Sequence, residues 1–162
     1  MLSTAIAPTS SKLEGRGLVA TRPIQTGETI WEASPDTDPG YCRASLAEIE
    51  LWPDRKQERF FAHAYQISET EWVSGDPRKD PSLLMNHSCD PNTWFLSDER
   101  MVARRNIAAG EEITYDYATS QTEEADFTCR CGSPNCRGKV TGEEYKESWF
   151  TERYKRHMLS YI

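Results

Sequence analysis

"NHSCDPN", residues 86–92, sets an amide, an imidazole and a thiol immediately before an Asp-Pro-Asn turn. Pro fixes its own φ, and Asp and Asn bond readily to nearby backbone, so the stretch bends tightly and exposes the groups before it. What Cys89 binds decides the reading. The chain has five cysteines: Cys42, Cys89, Cys129, Cys131 and Cys136. The opening "MLSTAIAPTSSK" lacks an early positive charge and a long apolar stretch, so it does not read as a secretory signal. An odd cysteine count inside a cell argues against a disulfide framework. Three of the thiols lie in "CRCGSPNC", residues 129–136. That C-x-C-x4-C spacing, with Gly, Pro and Asn in the loop, wraps three thiolates around one point. Tetrahedral zinc wants four ligands, and the two remote candidates for the fourth are Cys42 and Cys89.

The rest of the composition narrows the class. A chain of 162 residues suits one domain with its own core. It is 37% hydrophobic and 28% charged, an ordinary globular balance. It contains no apolar run near the ~18 residues of a membrane span. These features predict a soluble protein inside the cell, in cytoplasm or nucleus. The net charge of −7 argues against direct nucleic-acid binding. An acidic surface attracts basic peptides, though such surfaces often serve only solubility.

Along the chain, "GLVATRPI" and "GETIWEA" read as a β-hairpin or paired strands around "PIQTGE", and "PDTDPGY" as a breaker-rich loop. "SLAE" fits a capping box of Ser45 and Glu48, with Leu46, Ile49 and Trp52 on one helix face and Pro53 ending it. "DRKQERFFAHAYQ" predicts a second helix capped by Asp54, its apolar side being Phe60, Phe61, Ala64 and Tyr65. "TWFL" and "MVARRNI" alternate as strands around "SDER". "AAGEE" turns into the strand "ITYDYA", and "TSQTEEAD" is a polar connector. Residues 143–161 read as a helix. Tyr145, Trp149 and Leu159 lie on one side, with Phe150, Tyr154, Met158 and Tyr161 near the other. Two apolar sides need two partners. A helix sandwiched within the fold is the plainer reading; a homodimer contact through this helix is the other. The G-x-G-x-x-G dinucleotide fingerprint is absent.

Taken together the motifs resemble the SET-domain protein-lysine methyltransferases with a post-SET zinc segment. The matching pieces are "GRGLVATRPIQTGETI" (15–30), "NHSCDPN" (86–92), "GEEITYDY" (110–117) and "CRCGSPNCRG" (129–138), in the family's order. The resemblance implies a mainly β fold of several small twisted sheets with a pseudoknot, a helical insert and a C-terminal helix. Its parts would be a SET domain over 1–128 with a variable insert at 41–78, a post-SET segment at 129–138, and a helical tail at 139–162.

It also implies a chemistry: transfer of a methyl from S-adenosylmethionine to a lysine amine of a basic peptide or protein, with histone as the leading substrate class. Tyr117 would stand at the transfer point and Tyr115 beside it. Gly15, Arg16 and Gly17 would turn against the cofactor, glycine allowing close backbone approach. Asn86 would contact the cofactor by its side chain and His87 by its backbone, and Arg130 would lie over the adenine. Cys89 becomes the fourth ligand of a structural zinc held with Cys129, Cys131 and Cys136. Cys42 is left as a small buried hydrophobe. In the family the Tyr115 position carries Phe or Tyr and influences how many methyls are added; tyrosine implies mainly mono-methylation with some di-methylation. Many relatives carry a tyrosine soon after "GETIW", where this chain has "EASPD". Tyr41 and Tyr65 are candidates to fill that aromatic wall, and Trp94 is either groove wall or core. A non-histone protein or a biosynthetic peptide is the alternative substrate, and a non-catalytic binding module the alternative class.

Overall fold

A computed structural model describes residues 1–33, 41–122 and 127–162. Most of the "PDTDPGY" loop, the end of "EASPD" and the last part of the "TSQTEEAD" connector lie outside the described residues.

The fold is mainly β. Strands β1 (Ile6–Ser10), β2 (Arg16–Ala20), β10 (Glu112–Tyr115) and β7 (Asn86–His87) form one sheet in the order β1-β2-β10-β7. A second sheet has the order β3-β9-β8, from β3 (Thr29–Glu32), β8 (Thr93–Ser97) and β9 (Arg100–Ala103). A third has the order β4-β6-β5, from β4 (Cys42–Ser45), β5 (Ala64–Gln66) and β6 (Glu71–Ser74). The short strands β11 (Phe127–Thr128) and β12 (Lys139–Val140) pair beside the cysteine loop.

Buried ladder partners hold the sheets together. In β2 and β10, Leu18 faces Ile113 across the ladder, and both are fully buried. Ile30 from β3 and Met101 and Ala103 from β9 join them in the largest core. Each such aliphatic side chain contributes about 1.5–3 kcal/mol by leaving water. β1 carries Pro8, which cannot donate to a ladder and is tolerated because β1 is an edge strand.

Several expectations need correction. β2 and β3 are not a hairpin; they belong to different sheets, and Ile24 in the stretch between them forms a bridge with Ile107. The 41–78 stretch holds two helices, α1 (Leu46–Ile49) and α2 (Asp54–Phe61), and also the whole β4-β6-β5 sheet. The Ser45–Glu48 capping box is formed. Pro53, not Asp54, occupies the cap of α2, and Tyr65 lies on β5 rather than on that helix. The tail has a 3-10 turn at Glu144–Lys146 and an α-helix, α3, only over Ser148–Tyr154, because Lys155 turns to φ 48° and the chain reverses. Leu159 then donates its N–H to Thr119 O at 2.9 Å, which fixes the reversed tail beside the motif segment. Phe150 and Tyr154 are buried against the cysteines, whereas Trp149 is 45% exposed. Cys42 is exposed on β4, so it is not a core residue.

Candidate active site

The parallel pairing of β7 with β10 sets Asn86 opposite Thr114 and His87 opposite Tyr115. Ser88 N–H then donates to Tyr115 O at 3.0 Å, so "NHSC" and "TYDY" lie side by side. Asn92, almost fully buried, locks the turn with Nδ2 on Glu112 O at 2.8 Å and Oδ1 accepting Thr114 N–H at 2.9 Å.

The four cysteine sulfurs of Cys89, Cys129, Cys131 and Cys136 lie within 4.8 Å of one another. Cys129 is 3.7 Å from both Cys89 and Cys136. A tetrahedron with Zn–S bonds of about 2.3 Å has S···S edges of about 3.8 Å, so the spacing fits zinc. Backbone N–H groups of Cys89 and Arg137 point at Cys131 Sγ and Cys89 Sγ, each at 3.4 Å, as thiolate ligands require. Burial pushes the Cys89 thiol up to about 11. A buried thiolate therefore needs a cation beside it, and the cluster is compatible with a metal supplying one. Cys42 takes no part.

Two cavities meet at Tyr117 and Phe127. The smaller, about 590 Å³, is lined by Leu13, Glu14, Asn86, His87, Thr128 and Arg130 with the cysteine loop. Its size falls in the range of about 300–1,000 Å³ usual for small-molecule sites. The larger, about 1500 Å³, is walled by Tyr115, Tyr117, Tyr65, Tyr161, Met85 and Trp31 among others. Tyr41 lines it too. Trp94 does not wall either cavity; it stacks on His157 with ring centroids 3.7 Å apart.

Gly15 adopts φ +47°, and a Cβ on Gly17 would come within 2.4 Å of Glu112 Oε1 and 2.9 Å of Asn86 Nδ2. Gly15 is favoured by its backbone conformation, and Gly17 by the close approach of the Glu112 and Asn86 side chains. Asn86 Nδ2 shares its hydrogens among Arg16 O at 3.0 Å, Glu14 O at 3.2 Å and Glu112 Oε1 at 2.9 Å. Its donors hold the Glu14–Gly17 loop, which leaves its Oδ1 for another partner. Arg130 is exposed at the rim of the smaller cavity.

Tyr117 is not on a strand. β10 ends at Tyr115, and Asp116 caps a short 3-10 turn over Tyr117–Thr119. Strand alternation therefore does not align the two tyrosines; the turn does, with ring centroids 4.8 Å apart. The Tyr117 hydroxyl donates to Met85 O at 2.9 Å. Burial, reinforced by Tyr115, Glu14 and Glu112, holds that hydroxyl well above the usual tyrosine range. It is a neutral hydrogen-bonding group, unsuited to act as a base.

Asp116, Arg137 and Phe127 escaped the sequence reading, which placed Tyr154 only on an apolar side of the tail helix. Asp116 is bonded by the Arg137 guanidinium and by the Tyr154 hydroxyl at 2.7 Å. A carboxylate between two motif tyrosines, in an otherwise apolar run, was the available signal.

Such a constellation of small sheets, paired motif segments and a four-cysteine cluster defines a class, and comparison with known proteins agrees with it. The family model described as the SET domain matches residues 15–118, and the chain belongs to that family. Histone-lysine N-methyltransferase trithorax of Drosophila virilis is 30% identical over 140 residues, 78% of this chain and 3% of that protein. Histone-lysine N-methyltransferase ASHH3 of Arabidopsis thaliana is 32% identical over 134 residues, 78% of this chain and 35% of that protein. A Candida albicans histone-lysine N-methyltransferase, H3 lysine-36 specific, is 29% identical over 136 residues, 78% of this chain and 15% of that protein. The chain thus spans only a minor part of the length of these relatives.

Proposed function

We propose that this chain transfers methyl groups from S-adenosylmethionine to the side-chain amine of a lysine in a basic peptide or protein. The observation that carries this reading is the meeting of the two cavities at Tyr117 and Phe127. The smaller suits the cofactor and the larger the lysine and its flanking peptide. Histone is the substrate class, in keeping with the relatives' names. We place the protein inside the cell, where such a substrate is met; among the described residues no helix is long and apolar enough to cross a membrane.

When bound, S-adenosylmethionine supplies an electrophilic methyl on a sulfonium sulfur. Gly15, Arg16 and Gly17 hold the loop against it with backbone groups, fastened by Asn86. Arg130 covers the rim, and His87 contributes its backbone. The substrate amine has to be neutral to attack. A free lysine has pKa near 10.4, so at pH 7 only about 1 in 2,500 is neutral, at a cost of about 4.6 kcal/mol. An apolar, tyrosine-walled channel lowers that pKa by desolvating the ammonium. Tyr117 and the carbonyls near it orient the amine in line with the methyl. Fixing that line removes on the order of 7 kcal/mol of entropic barrier at good alignment.

Zinc held by Cys89, Cys129, Cys131 and Cys136 is structural in this reading. Four thiolates close its coordination sphere. It keeps β11, which carries Phe127, and the Arg130 loop over the smaller cavity.

The test is transfer of radiolabelled methyl from S-adenosylmethionine to histones, to other proteins and to peptides, beside calorimetry of cofactor binding. Label on a lysine supports the reading. Cofactor binding with no labelled acceptor of any kind moves it toward a binding module.

A further inference from the structure

The imidazole of His87 stands between the cysteine cluster and Tyr117. Its Nδ1 accepts the Tyr117 backbone N–H at 3.1 Å, and its Nε2 lies 3.3 Å from Cys89 Sγ. A backbone N–H can only donate, so Nδ1 is bare of a proton. A neutral imidazole carries one proton, which must then sit on Nε2 and point at the Cys89 sulfur. The ring cannot readily turn over to exchange its nitrogens. It is 8% exposed and packed edge-on against Tyr117 and Phe127, with centroids 5.3 Å away in each case. Asp116 Oδ1 is 3.6 Å from Nδ1, too far for a hydrogen bond, and that carboxylate is already held by Arg137 and Tyr154.

We infer that His87 is a positioning residue: a fixed-tautomer imidazole that ties the Cys89 metal ligand to the backbone of Tyr117, so that filling the metal site sets where Tyr117 stands. The inference rests on reading the four cysteines as a metal site. The physical link is short. A metal-bound thiolate takes the Nε2–H as a charge-assisted bond, roughly twice as strong as a neutral one. Nδ1 then holds the Tyr117 amide at the first residue of its 3-10 turn. Displacing the ring displaces the start of that turn, and with it the tyrosine side chain facing both cavities. The lid metal and the transfer point are in this way joined by two hydrogen bonds through one ring.

The test uses the full chain, loaded with NMR-active cadmium in place of zinc and carrying nitrogen-labelled histidine. The expected result is a His87 ring protonated on Nε2 only, with scalar coupling from that proton to the cadmium through sulfur. Stripping the metal with a chelator should move the Tyr117 amide resonance. A proton on Nδ1, or cadmium bound by the cluster with no coupling to His87, overturns the relay while leaving the metal site standing. A chain that takes up no metal overturns both. In His87→Asn the shorter amide can still accept from Tyr117 but no longer reaches Cys89. That variant should keep cofactor affinity within about twofold and lose the response of the Tyr117 amide to metal. Its turnover should fall about tenfold, equivalent to about 1.4 kcal/mol of barrier. An unchanged metal response in that variant removes His87 from the link.

Discussion

The guanidinium of Arg137 grips both oxygens of the Asp116 carboxylate, at 2.6 and 2.7 Å, and the Asp116 side chain is fully buried. Arg137 directly follows the last cysteine, and Asp116 directly precedes Tyr117. This pair therefore fastens the cysteine loop to the tyrosine turn. Tyr154 of α3 adds its hydroxyl to the same carboxylate, and its neighbour Arg153 reaches Asp90 in the "DPN" turn at 2.8 Å. One helical turn of the tail thus secures both motif segments.

Arg137→Met should leave Asp116 as an uncompensated buried charge and destabilise the fold by about 3–5 kcal/mol. The double variant Asp116→Asn with Arg137→Met should lose less than the sum of the single variants. Urea unfolding of the metal-loaded proteins measures both. A loss in Arg137→Met of less than about 1 kcal/mol would mark the pair as no stronger than a surface bridge.

The fold class could be read because the motifs carry turn chemistry and alternation that local sequence dictates. "DPN" turns, "TWFL" alternates, and Ser45 with Glu48 forms its box, although "MVA" is buried on both faces. Tertiary pairing was another matter. Pro8 hides β1, since a proline within a short run counts against a strand until the run is known to lie at an edge. Nothing local says that β2 seeks β10 and β3 seeks β9. In the tail the apolar spacing continued past Tyr154, yet Lys155 breaks the helix so that Leu159 and Tyr161 can reach Thr119 and Ser120. In the candidate site the cysteine grouping was legible from spacing and resemblance. Asp116 and Arg137 were not, because a charged residue in sequence looks like a solvated one until its partner is seen.

Metal content follows from the cluster. The chain should bind one zinc, lost in Cys131→Ser and retained in Cys42→Ser, since Cys42 is exposed and apart. Uptake displaces thiol protons, so affinity should fall as pH falls. Elemental analysis after gel filtration decides it. Full zinc in Cys131→Ser, or its loss in Cys42→Ser, would contradict the ligand set.

Tyr117→Phe should lower turnover by roughly 100-fold, about 2.7 kcal/mol of barrier, with a smaller change in cofactor affinity. The hydroxyl donates to Met85 O, so its removal frees the carbonyl as well as the phenol. Single-turnover rates beside calorimetry separate the two effects. Turnover equal to wild type would remove Tyr117 from the transfer point.

Alkaline pH should unfold the protein early. Burial pushes Tyr115 up to about 12, and Tyr117, Tyr154 and Tyr161 also stand well above the ordinary value. Unfolded tyrosines ionise near 10. Above that pH the unfolded chain has released protons that the folded chain keeps, so stability is full below about 10 and is lost as pH rises toward about 12. The urea midpoint should drop between about pH 9 and about pH 11, and drop less in Tyr161→Phe. An equal drop in both proteins would exclude Tyr161 as a contributor.

We propose that Tyr115 bears on how many methyls are added. It lines the larger cavity beside Tyr117, with its ring edge-on to Phe95 at 6.0 Å. Its hydroxyl, pushed up to about 12 by burial, stays protonated through the working range and can hold an ordered water beside the substrate amine. That water occupies the volume a second or third methyl needs and fixes the amine's orientation. Phenylalanine holds it poorly, which lets a methylated amine turn and react again. An ordered water is worth only ~0–2 kcal/mol, enough to change product ratios by up to roughly thirtyfold. Wild type should therefore give mainly mono-methyl-lysine with some di-methyl product, and Tyr115→Phe should shift the distribution toward higher states. Ser120 lines the same cavity, and its hydroxyl is a group there that can compete with a water for the Tyr115 hydroxyl. Ser120→Ala should then strengthen the water's hold and sharpen mono-methylation, whereas Tyr115→Phe relaxes it. Mass spectrometry of one peptide product across the three proteins reads both directions. Mostly tri-methyl-lysine from wild type, or the same distribution from all three, would show that Tyr115 only packs the wall.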